Sequence, residues 1–325
     1  MPLIDFGVLI EKIVEVREKK VFLTFHSMGD SDSISSAIAM SKAFKDFKIG
    51  TPDILTSNAA RIMKKLGFDD AINNEFDENA EAIILFDVNN FEGCGNFSEK
   101  LSLFKGPIIA IDHHKAFENK ENFYVYSNEG YNSAASIVFD ILDIIHVPIE
   151  ASYAKFLAIG IISDSAEFKN SNSKTFKQLG KLFEIANTDY ITLLEDIEHV
   201  SPASERIKTI EDLFKATAFV EKNLLFIYGT AHAYANLAAD MAIRIGSDIT
   251  LFWSVGEKEI SFSARMKPNL DKKYNIHLGV LMKELSVLIK GTGGGHPCAA
   301  GAYGKDLLKG DEFARAFIEE IRSRL

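Results

Sequence analysis

The sequence predicts an α/β fold: an N-terminal doubly wound parallel sheet followed by a smaller C-terminal α/β domain with a mixed sheet. Three observations carry this expectation. Short apolar runs alternate with helix-patterned segments through the first half, which is the order of a parallel sheet with helices on both faces. Two of the runs, 82–86 (AIILF) and 108–111 (IIAI), are continuously apolar, as strands buried on both faces are. The 325 residues also exceed what one core usually organises. Two domains are therefore expected, 1–200 and 201–325, joined by a helical linker and with a cleft between them.

Element by element, 21–25 (VFLTF) reads as the first strand. Residues 33–47 read as a helix, because Ile34, Ala37, Ile38 and Phe44 share a face. Residues 52–56 (PDILT) are a candidate strand, and 59–66 a helix stopped by Gly67. After the two apolar runs, 153–161 is helical, with Ala154, Leu157, Ala158 and Ile161 on one side. The polar, helix-patterned stretch 187–223 is the connector, with a boundary near 200. The second half opens on 224–228 (LLFIY). Segments 249–255 and 259–264 around Gly256 then predict a β-hairpin. A helix near 276–281, a glycine cluster and a final amphipathic helix near 312–322 complete the chain.

Composition narrows the class. The hydrophobic share of 47% is ordinary for a globular protein. Cys94 and Cys298 form no disulfide framework or zinc cluster, which places the expected compartment in a reducing cytoplasm. The N-terminus shows neither a basic leader nor a small-residue cleavage pattern. No run of apolar residues is long enough for a membrane span. The net charge of −10 argues against a general duplex-binding surface. Residues 201–325 hold 17 Lys and Arg against 15 Asp and Glu, a net +2, which leaves −12 on the first 200 residues. That asymmetry suits cations held in the first half and an anionic ligand held from the second, although uneven surface drift gives the same numbers.

The chemistry-bearing residues collect at the carboxyl ends of the expected strands. His26, Asp30 and Asp32 follow the first, Asp87 follows 82–86, and Asp112, His113 and His114 follow 108–111. Asp164 follows the helix ending near residue 162. Ligands of open α/β sheets bind at that edge. Mixed carboxylates and imidazoles favour Mn²⁺, Fe²⁺, Co²⁺ or Zn²⁺, and crowded acids repel one another unless cations compensate. Taken singly, each acid has a plainer explanation: Asp32 ahead of a helix is an ordinary N-cap, and a lone histidine pair is usually a surface feature. The combination is harder to dismiss.

The four motifs HSMGDSD, the Asp87 strand end, DHH at 112–114 and Asp164 resemble those of the DHH phosphoesterase family. GTGGGHPCAAG at 291–301 is similar to the signature of the associated second domain. The resemblance organises nearly the whole chain and is nearer the nanoRNase and oligonucleotide or pAp phosphoesterase subgroup than the larger RecJ-type exonucleases. It implies two divalent ions, Mn²⁺ by ligand type. His26, Asp30 and Asp87 would hold one, and Asp32, Asp87, His113 and Asp164 the other, with Asp87 bridging. It further implies that Asp112 orients a histidine and that His114 contacts the scissile phosphate. One departure is the VNNFEGCG stretch after Asp87, which lacks the small Thr/Ser-rich continuation of many members.

In the second half, Gly293, Gly294 and Gly295 before His296 can form an anion-binding nest, although a flexible turn between helices is the plainer alternative. The small residues Ala299, Ala300 and Gly301 suit a helix start packed near a ligand. Arg265, at the end of the hairpin, matches a family position for a substrate-facing arginine, and arginine binds phosphate bidentately; taken alone, it reads as a solvated surface residue. The expected substrates are short single-stranded oligonucleotides or nucleotides such as nanoRNA, pNpN or pAp, with no duplex and no membrane, in a chain that can form a homodimer. The rival readings are a cyclic dinucleotide phosphodiesterase, a RecJ-like single-strand exonuclease, an inorganic pyrophosphatase and a noncatalytic binding module on the same fold.

Overall fold

The structure, a computed structural model, describes residues 3–116, 122–165, 168–169, 171–197, 202–232 and 234–325. Its chain separates into two units, Met1–His199 and Val200–Leu325. The boundary expected near 200 falls outside the described residues.

Among the described residues, the first unit has seven strands: β1 (Lys20–Phe25), β2 (Met28–Gly29), β3 (Asp46–Ile49), β4 (Ile54–Leu55), β5 (Ala82–Phe86), β6 (Ile108–Asp112) and β7 (Phe123–Ser127). Five form one sheet in the order β3-β1-β5-β6-β7, parallel throughout. Every residue of β5 and β6 is buried, as their apolar runs require. The register pairs Phe25 with Phe86 and Phe86 with Ile111. The carboxyl ends of β1, β5 and β6 therefore finish within one residue of one another, and the residues there emerge at one edge.

Two local expectations change. The helix over 33–47 runs instead as Ser31–Met40, followed by a 3₁₀ turn at Ser41–Ala43. The chain then turns extended at Phe44 and becomes β3, paired with β1 from Lys20–Asp46 to Leu23–Ile49. Ladder hydrogen bonds at the sheet edge outweigh the apolar periodicity that placed Phe44 on a helix. The strand over 52–56 shrinks to β4, which pairs only with β2; Pro52 has no N–H to give to a ladder. The helix at 151–164 is longer than 153–161 and takes in Asp164. β7 is not among the expected strands, although its sequence, FYVYS, is rich in the aromatic and β-branched residues that strands favour.

All ten residues of the Ser31–Met40 helix are buried. This helix packs against Ala134–Ile144 and Ala151–Asp164. At the crossing, a Cβ added to Gly160 would collide with Ser35 Oγ and lie 3.1 Å from Ala135 Cβ and 3.2 Å from Ser31 O. Glycine is needed there for close approach.

The second unit is a six-stranded mixed sheet. Its strands are β8 (Thr217–Glu221), β9 (Leu224–Thr230), β10 (Ile249–Val255), β11 (Ile260–Met266), β12 (Gly291–Gly295) and β13 (Ala299–Gly304). They lie in the order β12-β13-β11-β10-β9-β8, with β9 and β10 parallel and the other neighbours antiparallel. The β10–β11 pair is the expected hairpin. The connector contains helices Tyr190–Ile197 and Ala203–Lys215, and then joins the sheet as β8. The helix Ala235–Arg244 packs on β10 and β11. Phe262 of β11 stacks on Phe313 of the helix Gly310–Arg324, with ring centroids 3.9 Å apart. No helix of the described residues is long and apolar enough to cross a membrane.

Gly160→Ala should therefore force the helices that carry Asp32 and Asp164 apart. The expected cost is about 1–3 kcal/mol, the range for overpacking, seen as a fall of several degrees in Tm by calorimetry. An unchanged Tm would show that the crossing can relax.

Candidate metal centre

The expected ligands converge. His26 leaves the end of β1. Asp30 caps the Ser31–Met40 helix, accepting from Ser33 N–H at 2.9 Å, and Asp32 lies in that helix's first turn. Asp87 follows β5, Asp112 closes β6, and His113 and His114 come next. Asp164 is the last residue of its helix rather than a residue beyond it. His26 Nε2 lies 3.6 Å from Asp30 Oδ1 and 3.4 Å from Asp87 Oδ2. His113 Nε2 lies 3.3 Å from Asp87 Oδ1 and 3.1 Å from Asp164 Oδ2. Among the described residues, three groups have donor atoms within 4.8 Å of one another: His26, Asp30 and Asp87; Asp32, His113 and Asp164; and Asp87, Asp112, His113 and His114. Asp87 and His113 each belong to two groups.

Burial and charge make this centre ask for cations. Asp87 Oδ1 and His113 Nε2 are both buried and, although 3.3 Å apart, make no hydrogen bond of good geometry, and buried polar atoms are rarely left so. Asp87 also has φ 56°, the left-handed region that aspartate tolerates better than most residues. Burial alone would push its carboxyl up, but the imidazoles of His113, His114 and His26 pull it well below the usual carboxylate range. Asp32 moves the other way: burial and then the negative charges of Asp87 and Asp164 hold it well above the ordinary value. Burial lowers His26, yet Asp30 and Asp87 outweigh it and bring its pKa to about 10. The same opposition, with Asp164 and Asp87 as partners, lifts His113 to about 11. An excess of carboxylates thus draws protons onto the imidazoles, where divalent ions can take their place. The donor set of carboxylates and imidazole nitrogens fits such ions.

His114 stands apart, with a side chain 55% exposed. Asp112, 1% exposed, accepts from the His114 backbone N–H at 3.0 Å and lies 2.9 Å from its Nδ1. The Asp112 pair and then Asp87 raise His114 to about 10. Nε2 is thereby left for a ligand. Asn89 Nδ2 donates to the other oxygen of Asp112 at 2.7 Å. Asn89 belongs to the departing stretch after Asp87, and no motif marked it.

Asp32 shows a second feature absent from any local pattern. Its two carboxylate oxygens accept from the backbone N–H groups of Ala134 and Ala135 at 2.7 and 2.8 Å. It therefore caps a helix about a hundred residues away rather than its own. A cavity of about 180 Å³ opens beside this centre, lined by Asp30, Asp32, Thr56, Asn58, Ser163 and Asp164.

In the second unit, Arg265, Gly294, Gly295 and His296 line one cavity of about 540 Å³. The glycine cluster is neither a loop nor a nest. It is strand β12, paired with β13 from Gly291–Gly304 to Gly295–Ala300. Ala299, Ala300 and Gly301 begin that partner strand rather than a helix. The glycines have separate reasons. A Cβ on Gly293 would strike Met282 O of the helix Leu278–Leu285, so Gly293 serves packing and does not line the cavity. Gly295 has φ 133°, open only to glycine in practice. A Cβ on Gly294 meets nothing within 4 Å. Arg265 is not a free surface residue: its Nε donates to Asp240 at 2.6 Å, and its Nη1 to Ser263 Oγ and Ala264 O at 3.1 Å.

Two outcomes follow. Because His26 and His113 hold protons well above neutrality, divalent-ion affinity should rise with pH. The expected slope is about tenfold or more per unit between pH 6 and 8, with more than one proton released on binding. Calorimetry in buffers of different ionisation enthalpy reads both, and a pH-independent affinity would contradict the assignment. Gly293→Ala should cost about 1–3 kcal/mol, whereas Gly294→Ala should stay within about 0.5 kcal/mol of the parent in denaturant unfolding. Equal costs would contradict their separate roles.

Family models match both units of the chain. The model of the DHH family N-terminal domain matches residues 20–161, and that of the DHHA1 domain residues 222–323. The chain is similar to an uncharacterised protein of Methanocaldococcus jannaschii, 26% identical over 298 residues, covering 88% of this chain and 87% of that one. It is also similar to the bifunctional oligoribonuclease and PAP phosphatase NrnA of Thermus thermophilus, 22% identical over 320 residues, covering 98% of this chain and 94% of that one. Among solved structures, an exopolyphosphatase-related protein from Bacteroides fragilis shares the fold. Its TM-score is 0.80 at 16% identity, over 99% of this chain and 98% of that one. The chain belongs to the DHH phosphoesterase family, with a DHH domain in its first unit and a DHHA1 domain in its second.

Proposed function

We propose that the protein is a Mn²⁺-dependent phosphoesterase that hydrolyses short nucleotidic substrates, such as nanoRNA, pNpN dinucleotides or pAp. The observation that carries this reading is the buried Asp87 carboxylate: its Oδ2 lies 3.4 Å from His26 Nε2, and its Oδ1, which makes no hydrogen bond of good geometry, lies 3.3 Å from His113 Nε2. His26, Asp30 and Asp87 would hold one ion, and Asp32, Asp87, His113 and Asp164 the other. Bound there, the ions would supply Lewis acidity and a water activated for attack on phosphorus.

The chain's own residues do the rest. Asp112 fixes the ring of His114 through Nδ1, so that Nε2 faces outward. That nitrogen can donate to the scissile phosphate or hand a proton to the leaving oxygen. Ala134 and Ala135 hold the Asp32 carboxylate in place through their N–H groups. In the second unit, Arg265, the backbone at Gly294 and Gly295, and His296 would take the terminal phosphate. Arg265 keeps further donors after binding Asp240. Two things support the substrate class: the likeness to an oligoribonuclease and PAP phosphatase along nearly the whole chain, and a separate cavity in the second unit suited to an anion.

Incubation with Mn²⁺ and a panel of pNpN, pAp, five-nucleotide RNA, long single-stranded DNA, a cyclic dinucleotide and pyrophosphate tests this. Mononucleotide should be released from the short substrates first. His114→Ala should lower kcat by about 10²–10⁴-fold with bound metal unchanged, measured by elemental analysis of the same sample. Cleavage of pyrophosphate alone, or wild-type rates in His114→Ala, would overturn the proposal.

A further inference from the structure

The cavity of the second unit has two unlike ends. Arg265 and His296 stand among its lining residues, and so does Tyr303, which is 56% exposed. Phe262, the other aromatic residue of the lining, is buried in the sheet's opposite face against Phe313. The register fixes where these groups sit. Arg265 lies opposite Ala299, Ser263 opposite Gly301, and Ser261 opposite Tyr303. Gly294 continues the Ser263–Gly301 row on the far side. Directly opposed residues share a face of the sheet. One face therefore runs from an arginine, over serine, glycine and alanine, to an exposed tyrosine. Arg265 and Ser261 are four residues apart, so the run is about 13 Å at about 3.3 Å per residue.

Small residues leave that floor open, and Gly294 has no packing partner to explain its lack of a side chain. At one end Arg265, paired through Nε with Asp240 and bonded through Nη1 to Ser263 and Ala264, keeps further donors that suit a phosphate. An exposed aromatic ring at the other end suits a flat apolar group. A ring exposed to water on a strand costs hydration that stacking would recover, and every base offers a π-face to it. A phosphate, a sugar and a base laid end to end match this order of surfaces.

We infer that Tyr303 is the platform on which a nucleobase of the substrate stacks, making it a specificity-determining residue of the second unit. The inference rests on the nucleotidic reading above and adds to it. Tyr303 supplies affinity for a base without choosing among bases, while Arg265 holds the phosphate. Ser261, beside Tyr303 and hydrogen-bonded to Ser254 at 2.8 Å, lies where the sugar or base edge would pass.

The test compares 5′-AMP with ribose 5-phosphate, which lacks the base, by calorimetry on the full Mn²⁺-loaded chain. The parent should bind AMP about tenfold or more tightly than the sugar phosphate, in keeping with stacking energies. Tyr303→Ala should bring AMP to the level of ribose 5-phosphate and leave ribose 5-phosphate unchanged, whereas Tyr303→Phe should keep the preference. GMP and CMP should follow AMP within a few-fold. AMP affinity retained in Tyr303→Ala, or lost in Tyr303→Phe, would overturn the role of the ring. If the parent prefers inorganic phosphate or pyrophosphate and ignores the base, the nucleotidic reading fails, and Tyr303 with it.

Discussion

Burying the Asp87 carboxylate is the constraint on which the first unit depends. The side chain sits where β5 ends, in a left-handed backbone conformation, with one oxygen that makes no hydrogen bond of good geometry. A buried carboxylate costs several kcal/mol unless positive charge compensates it. Three imidazoles stand around it, and each is itself drawn toward the charged form by the surrounding acids. The arrangement is held by the parallel sheet, because strand ends within one residue of one another, at Phe25, Phe86 and Asp112, bring His26, Asp87 and the DHH triplet to one edge.

Much of this was legible in the chain itself. The apolar runs that became β1, β5 and β6 announced themselves, and the acids after them gave the site. What the sequence hid was non-local. Asp32 read as a metal ligand with a local cap as the plainer alternative, and nothing in its neighbourhood showed that its oxygens also hold the start of a helix at 134–135. Asn89 sat in a stretch that only looked atypical until its bond to Asp112 was seen. Phe44 kept a helical spacing that the edge pairing of β3 overrode. The glycine cluster suggested a loop because glycine is poor in strands. It is a strand through its pairing with β13, and close backbone approach at Gly293 and Gly295 explains why those positions are glycine.

The two units divide the chemistry by charge. The acidic first unit concentrates oxygen and imidazole donors that call for cations. The second carries an open cavity lined by an arginine, glycine backbone and an exposed aromatic ring, which is where the proposed anionic, planar ligand would sit. Neither set fits the other's task. Arg265 near the carboxylates would compete with divalent ions, and the acids near the glycine strand would repel phosphate.

The central claim is that Asp87 joins two metal positions. Crystals grown with Mn²⁺ and measured at the manganese absorption edge test it most directly. The account predicts two anomalous peaks about 3.5–4 Å apart, one beside His26 and Asp30 and the other beside His113 and Asp164, with an Asp87 oxygen on each. A single peak, or two peaks that leave Asp87 uncoordinated, would contradict it.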